Sequence, residues 1–184
     1  LGKTNNNNEE FDILLFASRN ISEISIPSNI KIISSYAFEN CENLTKIEIP
    51  TNSQLQIIEN HAFASTSIIS IEIPSNVDVL ESNIFFSCKQ LVKVTFSTNS
   101  RLIKISGYAF SESTIQYLEI PSKVSILERY WSFNTLNLKF VIVSPENEYF
   151  VNVNEKIIVG KQSYNNDILY FVARDMISMD IPFH

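Results

Sequence analysis

The sequence predicts a mainly β repeat solenoid: a parallel ladder of short strands, short helical turns on the opposite side, and a β-hairpin inserted near the C-terminus. Three observations lead there. A strand-like motif recurs six times, with a repeat step of about 23 residues that lengthens by one at every second unit. One phenylalanine recurs between the copies. The composition also favours strands, with 27 isoleucines against 13 leucines, 20 asparagines and three glycines in 184 residues.

The strand motif opens as Ile21-Ser-Glu-Ile24-Ser-Ile26-Pro27 and returns as Leu44-Thr-Lys-Ile47-Glu-Ile49-Pro50 and Ile68-Ile-Ser-Ile71-Glu-Ile73-Pro74. It continues as Leu91-Val-Lys-Val94-Thr-Phe96-Ser97, Ile115-Gln-Tyr-Leu118-Glu-Ile120-Pro121 and Leu138-Lys-Phe-Val141-Ile-Val143-Ser144. The shorter step separates Ile21 from Leu44, Ile68 from Leu91 and Ile115 from Leu138; the longer one lies between these pairs. The fourth and sixth residues of the motif fall on one face of an extended segment, so they point inward while the residues between them point out. A proline after the strand has no amide donor and marks where the ladder stops.

The second motif is an apolar pair followed by Phe: Ile32-Ile33 to Phe38, Ile57-Ile58 to Phe63, Val79-Leu80 to Phe85, Ile105 to Phe110 and Ile126-Leu127 to Phe133. One unit cannot bury these side chains, whereas stacked units can. The reading is therefore one buried column of Phe38, Phe63, Phe85, Phe110 and Phe133, with each Ala-Phe segment as a short turn of helix. Units starting at Pro50 and Ser97 carry an extra Thr-Asn-Ser, so the true superrepeat is two units long. Phe16-Ala-Ser-Arg-Asn-Ile21 falls in its phase, one superrepeat before Phe63 to Ile68.

Residues 1–10 read as a flexible Asn-rich arm, 11–144 as the solenoid, and 145–184 as an irregular repeat. The stretch from Ser144 to Pro182 exceeds one repeat step by more than half, and the excess reads as a hairpin of 156–161 and 167–173 before the strand motif resumes at Met176.

The run Ile-Pro-Ser-Asn-Val/Ile, an apolar pair, Ala-Phe, then Cys and a Leu opening the next strand, resembles the BspA-like leucine-rich repeat family of surface proteins from bacteria and parasitic protists. The resemblance covers roughly residues 11–182. Ser97 and Ser144 depart from the strand-ending Pro, Ile84 and Ser132 from the Ala before Phe, and the family's Ile-Gly step lacks its Gly. The resemblance implies a cell-surface or secreted module that mediates adhesion or protein–protein interaction.

The residues argue against most other classes. A net charge of -6 and a pI near 5.0 leave no basic cluster for nucleic acid, and the three scattered glycines cannot form a phosphate-binding loop. No charge-free apolar run approaches the ~18 residues of a membrane helix. Cys41 and Cys88 occupy one place two turns apart, roughly 10 Å at strand spacing and beyond the ~7 Å reach of a disulfide, so they read as free, buried thiols. His61 sits at a variable position shared with Tyr36, Asn83, Tyr108 and Trp131, and no Cys/His set has zinc-ligand spacing. No nucleophile and base, paired carboxylates, metal or cofactor emerges, and the chain reads as a non-enzyme.

Binding residues are sought on the outward, concave face of the ladder. One column reads Glu23, Lys46, Ser70, Lys93, Tyr117, Phe140; the other reads Ser25, Glu48, Glu72, Thr95, Glu119, Ile142. Tyr117, Phe140 and Ile142 put aromatic and aliphatic groups where a solvated strand is polar, so a partner or the hairpin should cover them. Lys46, Glu48, Glu72, Lys93 and Glu119 complete the candidate face. Asn20-Ile-Ser22 and Asn43-Leu-Thr45 are sequons for N-glycosylation. The last strand, 176–181, would offer an open edge for self-association, which makes an assembly module or an intracellular scaffold the alternative to a surface binder. The chain reads as a segment of a longer protein, because Pro182-Phe183-His184 ends where a further second-strand run would begin.

Overall fold

The computed structural model describes residues 1–4, 11–154, 156–161 and 169–172. Among them are fifteen strands: β1 (Ile13–Leu14), β2 (Glu23–Ser25), β3 (Ile32–Ile33), β4 (Lys46–Glu48), β5 (Ile57–Ile58), β6 (Ser70–Ile73), β7 (Val79–Leu80), β8 (Lys93–Phe96), β9 (Lys104–Ile105), β10 (Tyr117–Ile120), β11 (Ile126–Leu127), β12 (Phe140–Val143), β13 (Phe150–Asn154), β14 (Ile157–Gly160) and β15 (Leu169–Val172). The even strands from β2 to β12 carry the recurring strand motif and the odd strands from β1 to β11 carry the apolar pair. Both sets stack in parallel, with β2–β4 and β6–β8–β10–β12 on one side and β1–β3–β5 and β7–β9–β11 on the other. The result is the parallel β solenoid that the repeat requires.

The missing donor of proline shapes the end of each even strand. Where serine replaces it, the ladder runs one bond further: the Ser97 amide donates to the Ile73 carbonyl at 3.0 Å and the Ser144 amide to Ile120 at 2.9 Å. The chain then turns with an i to i+3 bond, as from Ile30 N–H to Pro27 and from Asn147 N–H to Ser144.

The segments around each Phe are turns, and among the described residues there is no helix, which corrects the expected helical turns. The cause is a left-handed residue on either side of each of these turns: Tyr36 and Asn40, His61 and Ser65, Asn83 and Ser87, Tyr108 and Glu112, Tyr130 and Asn134 all have φ between 56° and 64°. Such backbone cannot continue an α-helix and costs a non-glycine residue about 1 kcal/mol or more. Bonds between turns hold it in place, such as Phe38 N–H to the Ala62 carbonyl and Phe63 N–H to Ile84.

Phe38, Phe63, Phe85 and Phe110 are fully buried and stack with ring centroids 5.4, 5.7 and 5.5 Å apart. Phe133 does not extend the column; it is 50% exposed, and Trp131 is buried in its place. The backbone explains this shift. Phe110 N–H bonds the Trp131 carbonyl, just as Phe85 N–H bonds Ala109, so Trp131 stands in the alanine position and Ser132 in the phenylalanine position. An Ala-Phe pair has been exchanged for Trp-Ser, and the indole fills from the neighbouring position the volume that Ser132 leaves. Tyr130, not Trp131, is therefore the counterpart of Tyr36 and His61. The same slip occurs at the start: Ala17 N–H bonds the Ala37 carbonyl, which puts buried Ala17 in the phenylalanine column, while Phe16 is 65% exposed under the Arg19 guanidinium.

Cys41 and Cys88 are free and buried. Thr66 separates them, its hydroxyl 3.4 Å from the Cys88 sulfur, and the Cys88 thiol donates to the Phe63 carbonyl at 3.1 Å. Burial pushes the Cys88 thiol up to about 11.

The insertion is a three-stranded antiparallel sheet in the order β13–β14–β15, so the expected hairpin gains a first strand at Phe150–Asn154. Phe150, Ile158 and Phe171 join the solenoid core, with Phe171 packed 5.7 Å from Trp131. The Asn152 amide completes the edge of β12, accepting from Val143 N–H at 2.5 Å and donating to the Val141 carbonyl at 2.7 Å.

Candidate binding face

The even strands align the predicted columns. Glu23 pairs with Lys46 and Ser25 with Glu48; Ser70 pairs with Lys93 and Glu72 with Thr95; Tyr117 pairs with Lys93 and Phe140, and Glu119 with Ile142. Inward neighbours are buried, as Val94, Leu118 and Val141 show, so these side chains have only the outer face to occupy.

The two ends of the face differ. At the first, Lys46 and Glu48 form an exposed ion pair at 2.5 Å, and the Glu48 carboxylate raises the Lys46 pKa. Such a pair on open surface contributes little to stability. At the other, Tyr117 and Ile142 are half-buried and Phe140 is 39% exposed. The described part of the insertion packs on the core and along the edge of β12, leaving Phe140 open.

The ladder also opens at regular places. Copies joined by the shorter repeat step pair along their strands, as in β2–β4, β6–β8 and β10–β12. Copies joined by the longer step do not: β4 and β6 belong to separate sheets, and β8 meets β10 only at Lys93 and Tyr117. A groove lies at each opening. One, of about 290 Å³, is lined by Ile49, Pro50, Glu72 and Pro74. The other, of about 380 Å³, is lined by the residues one superrepeat further on, Phe96, Ser97, Glu119 and Pro121, together with Tyr117 and Glu146. The repeat thus makes two equivalent grooves with different chemistry. In the first, the Ser97 hydroxyl donates to the Glu72 carboxylate at 2.7 Å; in the second, Phe96 replaces Ile49 and remains only partly buried. Phe96 read as a core residue from its phase, but it and Ile49, both at the openings, are only partly buried, whereas Ile26, Ile73 and Ile120 are buried where the next strand pairs fully. The signal was the longer repeat step that follows each of these two copies.

The remaining singled-out residues lie apart from this face. His61 stacks on Tyr36, ring centroids 4.9 Å apart, and has no acid–base partner among the described residues. Asn20 and Asn43 are exposed in the turns that enter β2 and β4, and the Thr45 hydroxyl of the second sequon donates to the Ser22 carbonyl at 3.3 Å. Strand 176–181 lies outside the described residues. Among the described residues no three His, Cys, Asp or Glu side chains could hold a metal ion, and no helix is long and apolar enough to cross a membrane.

Stacked parallel strands, a buried column at one residue per turn and an outward polar face define a leucine-rich-repeat solenoid. The model of the BspA type leucine-rich repeat region matches residues 10–139 with six copies, and the chain belongs to that family. The crystal structure of the pneumococcal vaccine antigen PcpA is similar at 30% identity, with a TM-score of 0.73 over 83% of this chain and 38% of that one. A leucine-rich cell surface protein from Faecalibacterium prausnitzii shares the fold at 20% identity, with a TM-score of 0.61 over 78% of this chain and 43% of that one. A leucine-rich repeat protein from Eubacterium ventriosum does so at 22% identity and a TM-score of 0.58, over 78% and 37%. The chain thus spans about two fifths of the length of each. The comparison with curated proteins found no match.

Proposed function

We propose that this chain is the binding module of a cell-surface protein, attaching to another protein or a cell-surface ligand in adhesion or host interaction and catalysing no reaction. The observation that carries this reading is the cluster of Tyr117, Phe140 and Ile142 on adjacent turns of an outer strand face, beside a groove. Partly exposed aromatic anchors next to walls that exclude water are what hot spots of protein interfaces are built from. The likeness to a pneumococcal vaccine antigen supports the surface setting. Glu48, Glu72, Lys46 and Lys93 complete the face and set association rate and specificity. Asn20 and Asn43 lie away from the anchors, and we propose them as glycan acceptors where the native cell glycosylates; a glycosidase-sensitive mass shift on native protein is the check.

The test is attachment of labelled protein to cells. Tyr117→Ala with Phe140→Ala should weaken attachment about tenfold or more, the scale of losing two anchors, with the melting temperature nearly unchanged. Undiminished attachment by the double variant would move the interface elsewhere.

A further inference from the structure

The groove between β8 and β10 has a chemistry that its equivalent lacks. Its lining brings together two aromatic rings, Phe96 and Tyr117, and two carboxylates, Glu119 and Glu146. A second groove, of about 400 Å³, shares Ser122 and Glu146 with it and adds Lys123, Glu148 and Tyr149. Among the described residues the ion pairs are Lys31–Asp12, Lys46–Glu48, Lys89–Glu112, Arg101–Asp78 and Lys104–Glu128, so Glu119, Glu146 and Glu148 belong to none. The cations nearby are Lys93, in register with Tyr117, Lys123 at the far end, and Lys161, whose ammonium donates to the Asn147 carbonyl at 2.6 Å. Three carboxylates thus stand near three amines, but Glu119 and Glu146, the two in the groove with the rings, form an ion pair with none of them, in a chain of net charge -6. In the equivalent groove Ile49 replaces the ring and Glu72 already accepts a hydroxyl.

Aromatic faces attract cations, and a guanidinium can lie on a ring while donating to a carboxylate. We infer that this groove takes an extended basic segment of the partner protein, an arginine or lysine lying against Phe96 and Tyr117 with its charged end at Glu119 and Glu146. The inference rests on the binding-module reading and deepens it by naming the chemistry of the partner.

The test uses the whole chain and a fluorescein-labelled octapeptide with two arginines among glycines and serines, compared with the same peptide carrying citrulline, by anisotropy at about 150 mM salt, the physiological ionic strength. Citrulline keeps the shape and removes the charge. The arginine peptide should bind about tenfold or more tighter than the citrulline one, and E119Q with E146Q should erase that difference. F96I restores the residue that the column carries in other turns, so it should fold normally and weaken the arginine peptide about threefold to tenfold. Equal binding of both peptides, or an E48Q loss as large as that of the groove variants, would show diffuse attraction and overturn the inference. If E119Q with E146Q still attaches to cells like the parent protein, the groove assignment fails while the binding-module reading stands. If the parent protein binds the arginine peptide in the groove but attaches to no cell, the adhesive reading fails and the groove chemistry stands.

Discussion

Trp131 stands edge-on to Phe110, ring centroids 6.1 Å apart at 86°, and ends the parallel stack of phenylalanines by turning the aromatic plane. Phe133, two residues on, lies outside the core and packs at 6.1 Å against Tyr108 and 6.0 Å against Tyr130. Trp131→Ala should therefore cost about 3–5 kcal/mol in a denaturant melt, and Phe133→Ala less than about 1 kcal/mol. A reversed order would restore Phe133 to the column.

In the middle of the stack, Phe85 touches rings on both sides. Phe85→Ala should lower stability by about 3–5 kcal/mol, and because each turn is held by its neighbours, the loss should broaden the transition. A melt shifted no more than by a surface serine substitution would contradict the packing.

Asn152 replaces, with one side-chain amide, the two backbone bonds that a further strand would give β12. Asn152→Ala leaves the Val143 N–H and the Val141 carbonyl without those partners, a cost of about 1–3 kcal/mol. Limited proteolysis should then cut the insertion first, well before the solenoid.

The first turn should respond to acid. Asp12 accepts from the Thr4 amide at 2.7 Å and from its hydroxyl at 2.5 Å, and faces Lys31 at 3.3 Å. The Thr4 hydroxyl bond above all, against the opposing effect of burial, lowers its carboxyl to about 2. A carboxyl whose folded pKa lies below its unfolded value adds stability that is complete above about pH 4. That contribution is lost as pH falls through about 2. Amide exchange near the Gly2–Ile13 bridge should accelerate over that window in the parent protein but not in Asp12→Asn.

Cys88 should stay protonated and unreactive at about pH 8, where an exposed cysteine is partly thiolate. Alkylation of the native protein should be slow at both cysteines and become complete on unfolding; fast labelling without denaturant would contradict their burial.

Much of this molecule was legible in its residues. Six strand copies at near-constant spacing, with apolar fourth and sixth positions, permit few structures other than a stack, because each copy buries its face only against the next. The two surface columns followed from the two-residue period of a strand; the first stands in the predicted register from Glu23 to Lys46 and from Ser70 to Phe140, with a break between β4 and β6. What escaped lay at the ends of the stack and in the joints between its turns. Phe133 stands six residues after Leu127, whereas Phe38 stands five after Ile33, a difference visible in the sequence but easily absorbed as drift.

The sequence by itself determined the period, the parallel ladder and which side chains face outward, since these depend on spacing along one chain. Only the tertiary structure decided that Trp131 rather than Phe133 completes the core, because a packed interior registers volume, and two adjacent positions can share it as Ala-Phe or as Trp-Ser. It also decided where the ladder parts. β8 and β10 each read as ordinary strands, and whether they pair depends on how the chain between them is divided among its turns, a sum that no single motif displays.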